Sequence, residues 1–357
     1  TIRTSADAQA RSWDRDAAMA ELEEASQSLR RLVWDPIEAH LGDCETVFLV
    51  PEGAFHLIDF AALSRDDGRF LIEDGPLVQI LAIARDLCHY ASVDSGTRPE
   101  NRSILALGNV DYTRASSEPL SVCATARGPS ELAPQYRGRV SSCLGLVATD
   151  WPTLPGSAAE IEDLRDDYAD DPAFVALTGS DASEEAFREL APGREILHVA
   201  THGFFLEEDC GNGDDNPLLL SGLVLAGANQ SSDEGATSDG ILTAEEITTL
   251  DLRSVQLAVL SACDTGRGTI RVGEGIMGLR RAFAIAGVRS MVLSLWPMPD
   301  EPARQWMDGF YDTLRAGSSV PIAVREAKIA RLRALRAAGT PANPQYWSGF
   351  VSSGNWR

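Results

Sequence analysis

The chain has 357 residues, of which 44% are hydrophobic and 24% charged, a composition typical of a water-soluble globular protein with a sizeable core. Its formal net charge of −22 and its lack of clustered Lys and Arg argue against nucleic-acid binding, which needs basic residues to displace counterions from phosphates. No stretch approaches the roughly 18 consecutive apolar residues of a membrane span, and residues 1–16 lack a signal peptide's apolar segment, so we expect a cytoplasmic protein without membrane contacts.

Six cysteines are scattered along the sequence, and no two of them form a CxxC pair. They are Cys44, Cys88, Cys123, Cys143, Cys210 and Cys263. A large chain without a secretion signal is expected to keep such thiols reduced, and their spacing predicts neither a disulfide framework nor a zinc site. The sequence therefore predicts no metal site and no cofactor.

The first part of the chain predicts one long helix followed by isolated strands. Apolar residues recur at helical spacing over residues 7–41, and Pro36 should interrupt or kink that helix. Short apolar runs over 47–50 and 104–107 are typical of buried strands, and turn residues follow each of them. Residues 112–151 show little periodicity, and we interpret them as a long connection.

In the second part of the chain, predicted strands and helices alternate. The helices are expected over 157–168, 183–190 and 276–286, and the strands over 196–200, 256–262 and 290–295. Ser157 and Glu160 match a capping box at the start of the first helix. This alternation predicts an α/β fold with a mainly parallel sheet and helices on both of its faces.

Two acidic insertions interrupt this pattern, at 207–216 and 229–240. Their oxygen-bearing side chains are suited to calcium, but the spacing does not match an EF-hand loop. We therefore interpret both as solvated loops, which lie beside the predicted crevice and could gate it.

Two of the predicted strands end at residues with complementary chemistry. Strand 196–200 continues into His202 and Gly203, and strand 256–262 continues into Cys263. Because the carboxyl ends of parallel strands line the crevice where ligands bind, neighbouring strands would make His202 face Cys263. An imidazole there can deprotonate the thiol for acyl transfer, and the N–H groups of Gly203 and Cys263 can form an oxyanion hole.

Each of these residues also has a structural interpretation. A cysteine after an apolar strand often belongs to the core, and we assign the nearby His198 to the strand itself. The separation of 61 residues between His202 and Cys263 favours catalysis, since it is close to the roughly 50 residues that separate the catalytic pair in caspases.

Residues 273–278 match the GxGxxG pattern of dinucleotide sites, but about ten polar residues separate them from the preceding strand, so we do not favour dinucleotide binding.

These residues lie within an ordered series of stretches that resembles the CHAT family, bacterial relatives of caspases and separases. The matching stretches are His198–Gly203, Leu218–Leu225, Asp239–Ile247, Leu260–Gly266, Gly273–Gly275, Leu279–Phe283, Ser294–Trp296 with Asp300, and Tyr346–Val351. The series covers most of 157–351 and is more specific than any one member. A looser resemblance extends over the first part of the chain, including Leu49–Gly53 and Ala106–Asn109.

The resemblance implies a caspase-like sheet with an active half and an N-terminal pseudo-caspase half. The corresponding division is an N-terminal helix at 1–36, a pseudo-caspase-like half at 37–150 and a caspase-like peptidase half at 151–357. The helix at 1–36 could be the end of a tetratricopeptide repeat array, since such arrays often precede the domain in this family.

The resemblance also implies a cysteine endopeptidase that cleaves a protein substrate, in bacterial defence or another regulated proteolysis pathway. His202 would be the general base, Cys263 the nucleophile and Gly203 an oxyanion donor. Partners would be the substrate and an activating protein or N-terminal repeat domain. The alternative is a catalytically silent scaffold or sensor that keeps the fold and binds a protein partner.

The segment after strand 290–295 resembles the wall of the substrate pocket in caspases and separases. Trp296 and Asp300 occupy the matching positions, and Asp300 corresponds to an acidic residue that in separases meets a substrate arginine. The other interpretation is that Asp300 caps a helix beginning near Glu301.

Overall fold

The fold was determined as a computed structural model, which describes residues 19–92, 103–114, 150–169, 171–205, 217–230, 238–261, 272–296 and 298–357. The helices are α1 (19–33), α2 (Asp35–Glu38), α3 (Leu71–Asp74), α4 (Arg85–Ser92), α5 (Pro155–Asp167), α6 (Glu184–Leu190), α7 (Ala244–Ile247), α8 (Val272–Ala286), α9 (Asp300–Arg315) and α10 (Val320–Ala337). The strands are β1 (Thr46–Leu49), β2 (Leu77–Ile80), β3 (Ile104–Val110), β4 (Val175–Gly179), β5 (Ile196–Val199), β6 (Gly203–Phe205), β7 (Ser221–Val224), β8 (Ile241–Thr243), β9 (Leu257–Leu260), β10 (Ser290–Ser294) and β11 (Phe350–Gly354).

Eight strands form the central sheet in the order β1-β2-β11-β10-β9-β5-β3-β4. Within the described ranges every pairing in this sheet is parallel except that of β10 with β11. The strands from β10 to β4 therefore run in one direction, whereas β1, β2 and β11 run in the opposite one. The strands β6, β7 and β8 form a separate antiparallel sheet.

Successive residues of the central strands point into two different hydrophobic cores. On β5, Leu197 and Val199 contact the core that is shared with α6, α7 and α8. On the opposite face Ile196 contacts the core that is shared with α5, α9 and α10. Both faces of the sheet are therefore covered, which is why these strands have almost uninterrupted apolar sequences. The predicted α/β fold with a mainly parallel sheet and helices on both faces is confirmed.

Several predicted elements need correction at their ends. The helix before Pro36 does break, with Trp34 between α1 and α2. Strand β3, however, continues through Gly108-Asn109 to Val110. Its register with β4 shifts between Leu107 and Val110, so that these two turn-forming residues lie within the strand. Helix α8 begins at Val272, so the GxGxxG match at 273–278 lies inside a helix and not in a phosphate-binding loop before one.

The predicted capping box at the start of α5 is wrong. The helix begins at Pro155, so Ser157 lies within its first turn, where its hydroxyl donates to the Leu154 carbonyl and accepts from the Asn109 amide. Glu160 is buried and points toward β5 and the end of β9.

Strands from 37–150 and from 151–357 belong to the same sheet. β3 lies between β5 and β4, and Gln79 of β2 bonds through its side chain to Ser352 and Gly354 of β11. A buried ion pair, Lys328 Nζ to Asp59 Oδ2 at 2.6 Å, also joins the two ranges. The boundary at residue 150 stays a prediction. None of the described helices is long and apolar enough to cross a membrane.

Candidate active site

The carboxyl ends of three neighbouring strands bring the predicted site segments to one edge of the sheet. Val199 of β5 pairs with Leu260 of β9, and Leu260 pairs with Leu293 of β10. Three residues beyond each of these paired positions, the sequence has His202 after Val199, Cys263 after Leu260 and Trp296 after Leu293. The strands before His202 and Cys263 are therefore neighbours, which is the condition that the sequence argument required, whereas Cys263 itself lies outside the described residues.

His202 is buried between two aromatic rings. Its ring centroid lies 5.1 Å from that of Tyr112 and 5.3 Å from that of Trp151, with interplanar angles of 44° and 40°. Its Nε2 lies 2.7 Å from the carbonyl oxygen of Pro152. A carbonyl can only accept, so Nε2 carries the hydrogen, and in the neutral ring Nδ1 holds the lone pair. In this tautomer Nδ1 is the ring nitrogen that can accept a proton.

The backbone of the His202 segment is fixed from both sides. Thr201 Oγ1 lies 2.9 Å from the hydroxyl of Tyr112 and donates to the carbonyl of Val224 at 2.5 Å. The amide of Val224 donates to the His202 carbonyl at 2.9 Å. Gly203 and Leu223 therefore form a non-hydrogen-bonded pair of β6 and β7, and the Gly203 amide points away from β7. That amide is not used by the β6–β7 ladder, as an oxyanion donor requires.

The predicted pocket wall follows β10. Trp296 is partly buried against the core that includes β5 and β9, and its carbonyl accepts from Ser294 Oγ at 2.6 Å. Helix α9 begins at Asp300 with Pro299 in the N-cap position, so Asp300 is the first helical residue and not the N-cap that the alternative interpretation requires. The carboxylate of Asp300 lies outside the described side chains.

A second histidine lies in a polar cluster beneath this edge of the sheet. His198 Nδ1 lies 2.9 Å from the hydroxyl of Tyr311, and His198 Nε2 lies 3.1 Å from Glu160 Oε1. Burial raises the pKa of Tyr311 well above its ordinary value, so the phenol stays protonated and can donate to Nδ1. The other oxygen of Glu160 accepts from Ser261 Oγ at 3.2 Å, two residues before Cys263. The assignment of His198 to the strand is confirmed.

Glu184 anchors the far end of the second acidic insertion. Its Oε1 accepts from the Ser238 hydroxyl and from the amides of Asp239 and Gly240 at 2.7, 3.2 and 3.0 Å. Its Oε2 accepts from Arg188, which also bonds to Glu246. Burial raises the pKa of Glu184 to about 7, which the bonds from Ser238 and Arg188 partly oppose. Residues 207–216 and 231–237 of the two insertions lie outside the described residues.

In the described part of the chain, no group of three or more His, Cys, Asp and Glu side chains is arranged to hold a metal ion. Two cysteines of this part, Cys44 and Cys88, are free and exposed.

Comparison with protein families gives one match that spans nearly the whole chain, the CHAT domain model over residues 23–355. Among curated proteins, tetratricopeptide repeat protein 28 of Mus musculus is 31% identical over 198 residues, which is 50% of this chain and 8% of that protein. The Homo sapiens protein of the same name is 29% identical over 200 residues, with the same coverage. The chain therefore spans less than a tenth of the length of these relatives.

Among solved structures, the Saccharomyces cerevisiae separase–securin complex is similar with a TM-score of 0.47 and 12% identity, over 86% of this chain and 15% of that one. Gingipain R (RgpB) of Porphyromonas gingivalis, an Arg-specific cysteine proteinase, has a TM-score of 0.47 and 8% identity, over 94% of this chain and 68% of that one. Both TM-scores are below 0.5, so the fold assignment depends on the strand order given above and not on these superpositions.

Proposed function

The chain belongs to the CHAT domain family, and we propose that it is a cysteine endopeptidase with His202 and Cys263 as its catalytic pair. The observation that carries the proposal is the pairing of Val199 of β5 with Leu260 of β9, since His202 and Cys263 each come three residues after one of these two residues in the sequence. The bond from His202 Nε2 to the Pro152 carbonyl supports it further, because it selects the tautomer with a basic Nδ1.

In the proposed reaction the Cys263 thiol transfers its proton to His202 Nδ1, and the thiolate attacks the carbonyl carbon of the scissile peptide bond. The developing oxyanion accepts hydrogen bonds from the amides of Gly203 and Cys263. The C–N bond then breaks, and the imidazolium gives its proton to the leaving amine. Nδ1 next deprotonates a water molecule, which attacks the thioester, releases the carboxylic acid and restores the thiol.

The proposal can be tested with a peptidyl acyloxymethyl ketone that alkylates activated thiolates. Because Cys44 and Cys88 are free and exposed, the experiment uses a Cys44→Ser, Cys88→Ser background, and mass spectrometry locates the label. We expect labelling of Cys263 and its loss in His202→Ala. His89→Ala, which replaces an exposed histidine on α4, is the matched control and should label like the parent.

Peptide cleavage is the second readout of the same variants. We expect Cys263→Ala and His202→Ala each to lower kcat/KM by several orders of magnitude, and the double variant to resemble either single one. A folded parent protein that neither labels at Cys263 nor cleaves peptides would refute the peptidase and favour the silent scaffold or sensor.

The proposed substrate is a protein, and Trp296 and Asp300 are proposed to line the pocket for the residue before the scissile bond. A carboxylate at Asp300 would favour arginine through a charge-assisted bidentate hydrogen bond. We expect peptides with Arg at this position to be cleaved faster than matched peptides with Leu or Asp, and Asp300→Asn to reduce the Arg preference about 10-fold or more. Glu301→Gln, the same change on the next and exposed residue, should leave it unchanged. Equal cleavage of the three peptides by the parent protein would place the pocket elsewhere.

The proposed setting is a defence or other regulated proteolysis pathway with an activating protein or repeat domain as partner. The support for a repeat domain is the similarity to tetratricopeptide repeat proteins, in which the matching part is a small fraction of the chain.

A further inference from the structure

The orientation of His202 depends on the segment that contains Trp151 and Pro152. This segment supplies both the carbonyl that accepts from Nε2 and one of the two rings that pack against the imidazole. It precedes α5 and has no strand or helix of its own over residues 150–154. Among the described residues its one backbone–backbone bond runs from the Ser157 amide to the Leu154 carbonyl, so side-chain contacts fix its position relative to β5.

Asn229 makes those contacts. Its Nδ2 donates to the Trp151 carbonyl and its Oδ1 accepts from the Trp151 amide, both at 2.9 Å. The orientation of the side-chain amide is unambiguous, because a backbone N–H can only donate and a carbonyl can only accept. A single side chain thus pairs with Trp151 in the way that a neighbouring strand would.

The backbone of Asn229 also reaches the ring on the other side of His202. Its amide donates to the Tyr112 carbonyl at 2.7 Å, and the amide of Gly227, in the same turn after β7, donates to the Asp111 carbonyl at 3.1 Å. The turn that ends at Asn229 therefore connects both aromatic neighbours of His202 to β7, whose Val224 in turn binds the His202 carbonyl.

From these contacts we infer that Asn229 is a positioning residue for His202. It acts through Trp151 and Pro152, by holding the Pro152 carbonyl where it keeps the hydrogen on Nε2 and leaves Nδ1 basic. The effect on peptide cleavage rests on the proposed function, whereas the effect on the imidazole does not.

The decisive variant is Asn229→Asp, which has the same shape. The carboxylate still accepts from the Trp151 amide, but its second oxygen faces the Trp151 carbonyl with no hydrogen to donate, which pushes the segment away. The matched control is Gln230→Glu on the next residue, whose exposed side chain donates to the Thr113 carbonyl. It makes the same amide-to-acid change and adds the same charge without touching Trp151.

For Asn229→Asp we expect kcat to fall about 10-fold or more with little change in KM, because a misplaced base affects the chemical step more than substrate binding. We also expect the rate of Cys263 alkylation by iodoacetamide to change its pH dependence, a readout that a loss of stability alone would not move. Gln230→Glu should match the parent in both measurements.

Imidazole ¹⁵N spectra test the inference independently of peptidase activity. The chain has five histidines, and His202→Gln identifies the signals of His202. We expect the parent to show the Nε2–H tautomer, and Asn229→Asp to show a mixture of tautomers or a shifted pKa. If His202 keeps the parent spectrum in Asn229→Asp, the inference is wrong even if the protein is a peptidase. If the spectrum changes while no variant cleaves peptides, the positioning role stands and the proposed function fails.

Discussion

Replacing Lys328 with Met should be among the most destabilising single changes in the protein. The Lys328 ammonium lies 2.6 Å from Asp59 Oδ2, and both side chains are less than a tenth exposed. Without Lys328, the Asp59 carboxylate would stay buried and, among the described residues, would keep only the Ser348 hydroxyl and the Ala61 amide as partners. Leaving one member of a buried ion pair uncompensated typically costs about 3–5 kcal/mol.

Equilibrium urea unfolding, followed by tryptophan fluorescence, measures this cost. At a slope of about 3 kcal/mol per M, a loss of 3 kcal/mol lowers the midpoint by about 1 M. The matched control is Arg336→Met, on the same helix α10. Arg336 pairs with Glu73 but is 38% exposed, so its loss should cost less than about 1 kcal/mol.

The double variant Asp59→Asn, Lys328→Met removes both charges together. We expect it to be more stable than the sum of the two single losses by about 2 kcal/mol, because neither charge is then left alone. Strict additivity, or a Lys328→Met midpoint equal to that of Arg336→Met, would refute the reasoning.

Two further predictions concern packing and pH. Gly222→Ala should lower the free energy of unfolding by about 1–3 kcal/mol, because its Cβ would lie 2.5 Å from the Leu242 carbonyl oxygen. Gly309→Ala should raise it by about 0.5–1 kcal/mol, since the new Cβ would meet Ala327 at an ordinary 3.8 Å inside a helix; thermal unfolding of both variants checks this contrast. Stability should also fall as pH rises from about 4.5 to about 7, because folded Glu184 keeps its proton where an unfolded glutamate has lost it. Urea titrations from pH 5 to 8 should show a smaller slope for Glu184→Gln, and an unchanged slope would contradict the assignment.

The sequence predicted the central strands well because strands covered on both faces must be apolar at every position. For the same reason it predicted that the strands β5 and β9 end just before His202 and Cys263 in the sequence, but it left open whether these two strands pair, which the fold decides. It did not predict the surroundings of His202. Tyr112 and Trp151 lie at the two ends of a stretch without periodicity, and Asn229 begins an insertion that we interpreted as a solvated loop. Their contacts join distant parts of the chain and leave no local pattern.

For the capping box, the sequence predicted a local contact that the fold does not contain. Ser157 and Glu160 have the right spacing, but this spacing cannot reveal that the helix begins earlier, at Pro155. In the fold, Glu160 is buried beside His198 and Ser261 and does not turn back toward the helix end. The contacts of Glu160 with residues distant in the sequence therefore decide its orientation, and the local spacing of Ser157 and Glu160 does not.

The place of β11 in the sheet has a consequence for biosynthesis. Strands β2 and β10 are both made before residues 350–354, yet each pairs with β11 and not with the other. In a chain without those residues, β2 and β10 would be edge strands with open backbone donors and acceptors, the surfaces on which strands of other chains add. A ribosome that stalls ahead of residue 350 would therefore release an aggregation-prone product, whereas one that completes β11 closes both edges in a single step.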